Sequence, residues 1–223
     1  MPRVSGAAPE AARCGREGEV VAAVEEDVIF GRLAPGARIT EDALLARFPV
    51  TRHVARQALF RLERLGIVVR ERNKGAAVRS LSEDQVRQLY EVRELAQRQA
   101  ALSIPVPAPA GLVDELRAIH DAYCAAIDAG LLRRVHELND RFHLTLFSAC
   151  GNRYLVETIE HYMQLSLTIR AKSLADRATL QVSREQHRLM IELLGGRDRW
   201  ALAQLCVEHL QPSKVDYLQR IRR

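Results

Sequence analysis

Between Gly111 and Gln211 the chain has no proline. Proline removes a backbone donor and clashes with the preceding turn, so a stretch of about a hundred residues without it can be helical throughout. Gly130, Gly151 and the Gly195-Gly196 pair divide it into helices of ordinary length, with no strand-like alternation and no internal repeat. Upstream, Ser82 can cap a helix running through Leu102, which Pro105, Pro107 and Pro109 end. Leu112, Leu116, Ile119, Tyr123 and Ile127 form one aliphatic stripe, the core side of the next helix. Residues 83–223 therefore read as an all-α helical bundle.

The preceding residues differ in pattern and charge. Residues 1–16 are small, polar and proline-bearing and read as a flexible tail. Apolar positions at Val20, Val21, Val24, Val28 and Ile29 fall near the helical period, and Gly31, Pro35 and Gly36 end that helix. Thr40 offers an N-cap for a short helix over residues 41–48, which Pro49 stops. Thr51 caps the next, running from Arg52 to Leu65 and ended by Gly66. Ile67-Val68-Val69 and Ala76-Ala77-Val78 then flank a hairpin with a basic tip. Three helices followed by a two-stranded wing describe a winged helix-turn-helix over residues 17–79, joined by a linker at 80–82 to the bundle. The fold class is mainly α.

Charge supports a polyanion partner for this part. The chain's net charge is +5, yet residues 47–79 carry nine bases against Glu63 and Glu71, so the remainder is net acidic. A positive excess confined to that stretch is the footprint of a nucleic-acid surface. In a winged helix the N-terminal residues of helix 52–65 lie nearest the base edges. Arg52 and Arg56, one turn apart, can both face the duplex, with His53 beside them. The arginine fork suits guanine or phosphate, and Thr51 can hold a phosphate at the helix start. Arg72, Lys74 and Gly75 at the wing tip offer charge and an unhindered backbone for the sugar-phosphate edge.

Several classes are excluded. With 48% hydrophobic and 27% charged residues the chain can bury a core, which rules out wholesale disorder. No apolar run is long enough to span a membrane. The start, MPRVSGAAPEAARCGREGE, lacks an apolar stretch of signal-peptide length. Cys14, Cys124, Cys150 and Cys206 have no paired spacing and read as free thiols of a reducing compartment, so a cytoplasmic protein is expected.

The stretch PGARITEDALLARFPVTRHVARQALFRLERLGIVVRERNKGAAV resembles the DNA-binding domain of the GntR transcription regulators. Its Val50-Thr-Arg-His-Val-Ala-Arg-Gln-Ala-Leu59 follows the pattern V-S-R-T-P-V-R-E-A-L, and the wing glycine falls at Gly75. Asp42 stands where relatives are often basic. Pro49 replaces a frequent glycine and cannot take positive φ, so the turn must close differently. His53 and Val54 replace the common Thr-Pro.

Three histidines invite a metal reading. His143 follows Asn139 by one helical turn, and His187 and His209 lie on two other expected helices, as a bundle-core site requires. Imidazole with an oxygen ligand suits zinc, nickel or manganese. Spacing alone leaves the alternative of ordinary core or surface histidines open. Residues 83–210 resemble the FCD effector domain of the FadR branch of that family: Tyr90-Glu-Val-Arg93, Phe142-His143, Cys150-Gly-Asn152, Glu185-Gln-His187 and Asp198 to His209 follow its motifs in order. The resemblance implies a divalent metal, zinc first, on Asn139, His143, His187 and His209. Asn139 stands where the family usually has Asp, and a set of His136, Asp140 and His143 on one helix face is a lower-ranked local option. The resemblance also implies that Arg93 receives the carboxylate of a small organic acid. Asn152 is a further candidate for the pocket, but Gly-Asn is also an ordinary helix stop, and that is the favoured role. The alternative for Arg93 is a structural pair with Glu91 or Glu94. Gln97 stands where relatives often have Glu.

The expected function is a metabolite-responsive transcription regulator, not an enzyme: a homodimer that binds a double-stranded operator and senses a small carboxylate. The competing readings are a helical metalloenzyme using the three histidines to activate water, and an architectural DNA binder without effector.

Overall fold

A computed structural model describes residues 8–71, 75–173 and 176–222, with side chains from Arg16 onward except at 71 and 171–173. The chain forms two compact units, one up to Ser80 and one from Leu81.

The first unit holds α1 (Ala8–Ile29), β1 (Arg38–Ile39), α2 (Glu41–Arg47), α3 (Arg52–Arg64), β2 (Val68–Glu71) and β3 (Gly75–Val78). Helix α1 begins well inside the stretch expected to be a flexible tail, which corrects that expectation for residues 8–16. Pro9 falls in the first turn, where its missing N–H costs nothing, and the alanines beside it favour helix. Val20, Val21, Val24 and Val28 are buried, as are Val54, Ala55, Ala58, Leu59 and Leu62 of α3. Asp27, also buried, accepts hydrogen bonds from Arg32 and Arg47 and so ties α1 to α2. Arg47 is thereby committed to the fold.

The turn between α2 and α3 closes without a left-handed residue, as Pro49 demands. Phe48 caps α2 in extended backbone at φ −123°, and Val50 N–H donates to the Phe48 carbonyl at 2.8 Å. After α3 the chain does need positive φ, and Gly66 supplies it at 74°. The wing has three strands, not the expected two, in the order β1-β3-β2 and all antiparallel. β1 is two residues long, too short to show alternation in sequence, and becomes a strand only by pairing Arg38 with Ala77 and Ile39 with Ala76.

The second unit is helical among its described residues: α4 (Glu83–Ser103), α5 (Ala110–Asp128), α6 (Leu132–Ser148), α7 (Arg153–Leu165), α8 (Leu167–Ser173), α9 (Arg177–Gly195), α10 (Arg199–Glu208) and α11 (Gln211–Ile221). Ser82 and Gln85 form a full capping box on α4. Leu116, Ile119, Tyr123, Phe142, Leu146 and Phe147 anchor a core shared by α5 and α6 with α9 and α10. Leu112 and Ile127 pack at its margin, completing the stripe read from sequence. Fully burying one such side chain contributes on the order of 1.5–3 kcal/mol. The polar residues Arg93, Gln97, Asn139, His143, Arg170 and His187 are buried as well. Buried polar groups at this density need a reason.

Candidate functional site

On the winged unit, Thr51 caps α3: its hydroxyl accepts from Val54 N–H at 3.3 Å. Arg52, His53 and Arg56 follow on the first turns with their side chains exposed, while Val54 and Ala55 between them are buried. The arginines are not idle. Arg56 Nε donates to Glu41 Oε1 at 3.0 Å, and Arg52 Nη2 lies 3.0 Å from Asp42 Oδ1 and Nη1 3.9 Å from Glu41. The guanidinium of Arg56 holds the Glu41 carboxyl below its usual pKa. Sequence reasoning noticed Asp42 as out of place but not that it would engage Arg52, a contact set by how α2 crosses α3. Gly75 opens β3 with φ 81°. Arg72 and Lys74 lie outside the described residues.

The helical unit encloses a cavity of about 60 Å³ lined by Arg93, Asn139, His143, Arg170, Gln186 and His209 among others. Its side chains come from seven helices, so no local sequence pattern could have announced it. His143 on α6 and His187 on α9 are buried, and His209 at the end of α10 is partly so. Their ring nitrogens converge: His143 Nε2 lies 3.1 Å from His209 Nε2 and 3.2 Å from His187 Nε2. The edge of a tetrahedron with metal–nitrogen bonds of about 2.0–2.1 Å is about 3.3 Å. Packing orients the rings, with Phe142 stacked on His187 at 4.1 Å between centroids.

The protonation states suit a cation. Burial, reinforced by neighbouring histidines and, for His143, by Arg170 and Arg93, pushes His143 and His187 well below 6.5, and burial with the charges of Arg93 and Arg170 lowers His209 to about 4. All three imidazoles are neutral at neutral pH, as ligation requires. His209 Nδ1 lies 2.7 Å from Gln186 Oε1, an acceptor, so that ring carries its proton on Nδ1 and its lone pair on Nε2. His143 Nε2, facing two other ring nitrogens, cannot satisfy both with one proton. Nδ1 of His143 and of His187 finds no partner among the described residues. The donor set and its spacing fit a divalent metal.

Asn139 lines the cavity beside His143, and its Nδ2 donates to Asp140 Oδ1 at 3.1 Å, which leaves Oδ1 as its available ligand atom. Asp140 is occupied elsewhere: Arg170 Nη1 and Nη2 donate to its two oxygens at 2.7 and 3.3 Å. Burial would raise the Asp140 carboxyl, but the charge of Arg170, then of His136, outweighs it and holds the group well below the carboxylate range. His136 Nε2 is 3.7 Å from Oδ2 of that carboxylate. The structure thus brings together the three dispersed histidines and not the His136–Asp140–His143 set.

Arg93 is buried, with its guanidinium 4.9 Å from the Tyr90 ring centroid. Its Nε and Nη1 have no hydrogen-bond partner. The structural pairs weighed for it do not form, since Glu94 is taken by Lys214 at 2.9 Å and Gln211 at 3.0 Å. Asn152 is corrected. It is exposed and caps α7, its Oδ1 accepting from Leu155 N–H at 3.2 Å, and it does not line the cavity. Gln186, Arg170 and Gln97 were missed or left without a role by sequence reasoning, yet each lines the cavity.

Residues 88–212 match the FCD domain family, and residues 16–78 match the bacterial regulatory proteins of the gntR family. The Nta operon transcriptional regulator of Aminobacter aminovorans is 27% identical over 190 residues, spanning 84% of this chain and 88% of that protein. The transcriptional repressor RspR of Escherichia coli strain K12 is 26% identical over 192 residues, spanning 84% and 82%. Among solved structures, a GntR protein from Rhodococcus sp. RHA1 superposes with a TM-score of 0.74 at 20% identity, covering 92% of this chain and 98% of its own. Escherichia coli McbR/YncC superposes at 0.71 and 18% identity, with the same coverages of 92% and 98%. These two likenesses bear on the fold alone.

Proposed function

Given that this chain belongs to the gntR family of bacterial regulatory proteins and carries the FCD domain, we propose that a small carboxylate held between Arg93 and a divalent metal sets how tightly the winged unit binds DNA. The protein is a DNA-binding transcription regulator; the carboxylate, the metal and the residues that hold them are the further reading. One observation carries it: His143 Nε2 lies 3.1–3.2 Å from the Nε2 atoms of His209 and His187, and His143 and His209 line one cavity with a buried guanidinium that has unpaired donors.

His143, His187 and His209 would hold the metal, with Asn139 Oδ1 as an oxygen donor and zinc, nickel or manganese as the ion. When bound, the metal supplies a Lewis-acidic point for a carboxylate or hydroxyl oxygen. Arg93 supplies the opposing fork, and two parallel N–H···O bonds orient the acid. Gln186 keeps the His209 lone pair aimed inward. Such a ligand changes DNA affinity only if the DNA-competent and incompetent states bind it unequally.

On the winged unit, Arg52, His53 and Arg56 read bases or clamp phosphates, Thr51 holds a phosphate, and Arg72, Lys74 and Gly75 approach the backbone at the wing. A homodimer matches this single small reading head to a two-fold operator. No described helix is long and apolar enough to cross a membrane, and a cytoplasmic location fits a DNA partner.

The test is a titration of hydroxy and dicarboxylic acids into the protein bound to a duplex from its own upstream region. A panel member should shift DNA affinity about 5–150-fold, and Arg93→Met should abolish the shift. Response by Arg93→Met equal to wild type would sink the assignment.

A further inference from the structure

The charges that face the cavity do not balance. Among the fifteen lining residues there are two guanidiniums, Arg93 and Arg170, and no carboxylate. Asp140, just behind the wall, gives both oxygens to Arg170 and also accepts from Asn139. That leaves Arg93 with no carboxylate in contact, only the more distant charge of Asp140. Its charge helps to depress His209 and, with that of Arg170 and against that of Asp140, His143. The other polar residues lining the cavity besides the histidines, namely Gln97, Asn139, Thr179, Ser183, Gln186 and Ser213, are all neutral.

A divalent cation among these histidines would therefore have no anionic ligand and would lie in the field of an unpaired guanidinium. In a site of low dielectric, like charges at such range oppose one another strongly. The same arithmetic works against an anion alone much less, because Arg93 attracts it. The anion relieves the repulsion that the metal alone would leave, and the metal adds a second point of attraction for the anion. Asn139 cannot supply the missing charge, and its amide N–H₂ is already committed to Asp140.

We propose that the metal is not a resident cofactor of this chain but enters with its anion, so that the cavity recognises a divalent cation and a chelating di- or hydroxy-dicarboxylate as one ligand. The inference rests on the metal-and-carboxylate reading above and adds to it the order of dependence. By linkage the coupling is reciprocal: the acid tightens the metal by the same factor as the metal tightens the acid. A dianion is the smallest charge that offsets the metal, and a second oxygen donor lets it hold the metal while its other end meets Arg93. A simple monocarboxylate such as acetate offers neither the second charge nor a separate second donor.

The experiment is equilibrium dialysis of untagged full-length protein against nickel(II), with free nickel held constant and L-malate, acetate or no acid present. Wild type should bind nickel about 5–150-fold more tightly with malate than without it, and acetate should have little effect. Arg93→Met should bind nickel alone more tightly than wild type does and lose the malate dependence. Circular dichroism melts of each protein establish that the variant is folded. Equal wild-type nickel affinity with and without malate overturns the inference while leaving the metal site standing. No nickel or zinc bound under any condition, with malate included, overturns the metal reading itself. Asn139→Asp is the converse variant: a carboxylate placed there should raise nickel affinity without acid and shrink the malate effect. An unchanged malate effect in folded Asn139→Asp counts against the charge argument.

Discussion

Replacing Arg93 by methionine should stabilise the ligand-free protein. Arg93 is 4% exposed and its Nε and Nη1 have no partner. Burial lowers its pKa from the ordinary arginine range to about 10, and at about 1.4 kcal/mol per tenfold this amounts to roughly 3 kcal/mol held against the charged form. The group is a base with a depressed folded pKa. The penalty is therefore present in full below about pH 10 and is relieved only as pH climbs above it. A melt at neutral pH reads all of it. Against this stands the loss of the Tyr90 ring contact, about 2 kcal/mol for a desolvated pair. Methionine fills a similar volume without charge, so the net gain should be about 1 kcal/mol. For a chain of this size that is about 2–4 °C in the helical unit's transition. Differential scanning fluorimetry and urea titration, each with and without nickel plus malate, measure it. In wild type the pair of ligands should recover the deficit; in Arg93→Met it should add much less. A ligand-free variant that melts below wild type would refute the reasoning, because Arg93 would then be a structural residue whose partners matter to the fold.

Arg52→Ala or Arg56→Ala should cost about 1–3 kcal/mol of DNA binding where the side chain reads a base, whereas Lys74→Ala should weaken all sequences alike in gel-shift titrations. Asp42→Asn should free Arg52 from its 3.0 Å contact, strengthen binding to random-sequence duplex, and steepen the salt dependence by about one phosphate; an unchanged slope would mean that Arg52 never leaves the groove face. Gln186→Ala should weaken nickel binding about 10–100-fold in the presence of malate by releasing the His209 ring, read by the same dialysis. Acidification should destabilise the helical unit: the three cavity histidines have folded pKa values below 6.5 while the unfolded chain titrates near it, so stability falls as pH drops from about 6.5 toward 4. A denaturation midpoint flat across that window would contradict the buried, neutral assignment.

What could be read along the chain was whatever depends on neighbours in sequence. Thr51 and Ser82 cap helices because the cap and its N–H partners lie three residues apart, and both are seen doing so. Gly66 takes positive φ because only glycine does so freely after α3. The helical character of the long proline-free stretch, and the core stripe on α5, follow from period and from the absence of a breaker. The three histidines stood out through resemblance, since their spacing of 44 and 22 residues carries no geometric information.

What only the packing decided is everything that depends on how helices cross. Whether Asp140 or Asn139 faces the cavity was a question of about a hundred degrees on α6; Arg170, arriving from α8, takes Asp140 and leaves Asn139 facing inward. Glu94 rather than Arg93 finds a partner across the bundle, because Lys214 and Gln211 come from the far end of the chain. β1 exists only through its pairing with β3. Net charge inside a cavity is a sum over side chains brought together by tertiary contact, and linear sequence does not specify which terms enter the sum. The sequence by itself determined which groups were available; the fold determined that two guanidiniums would line one small space with His143 and His209, with His187 against them and Asp140 behind the wall already spent on Arg170.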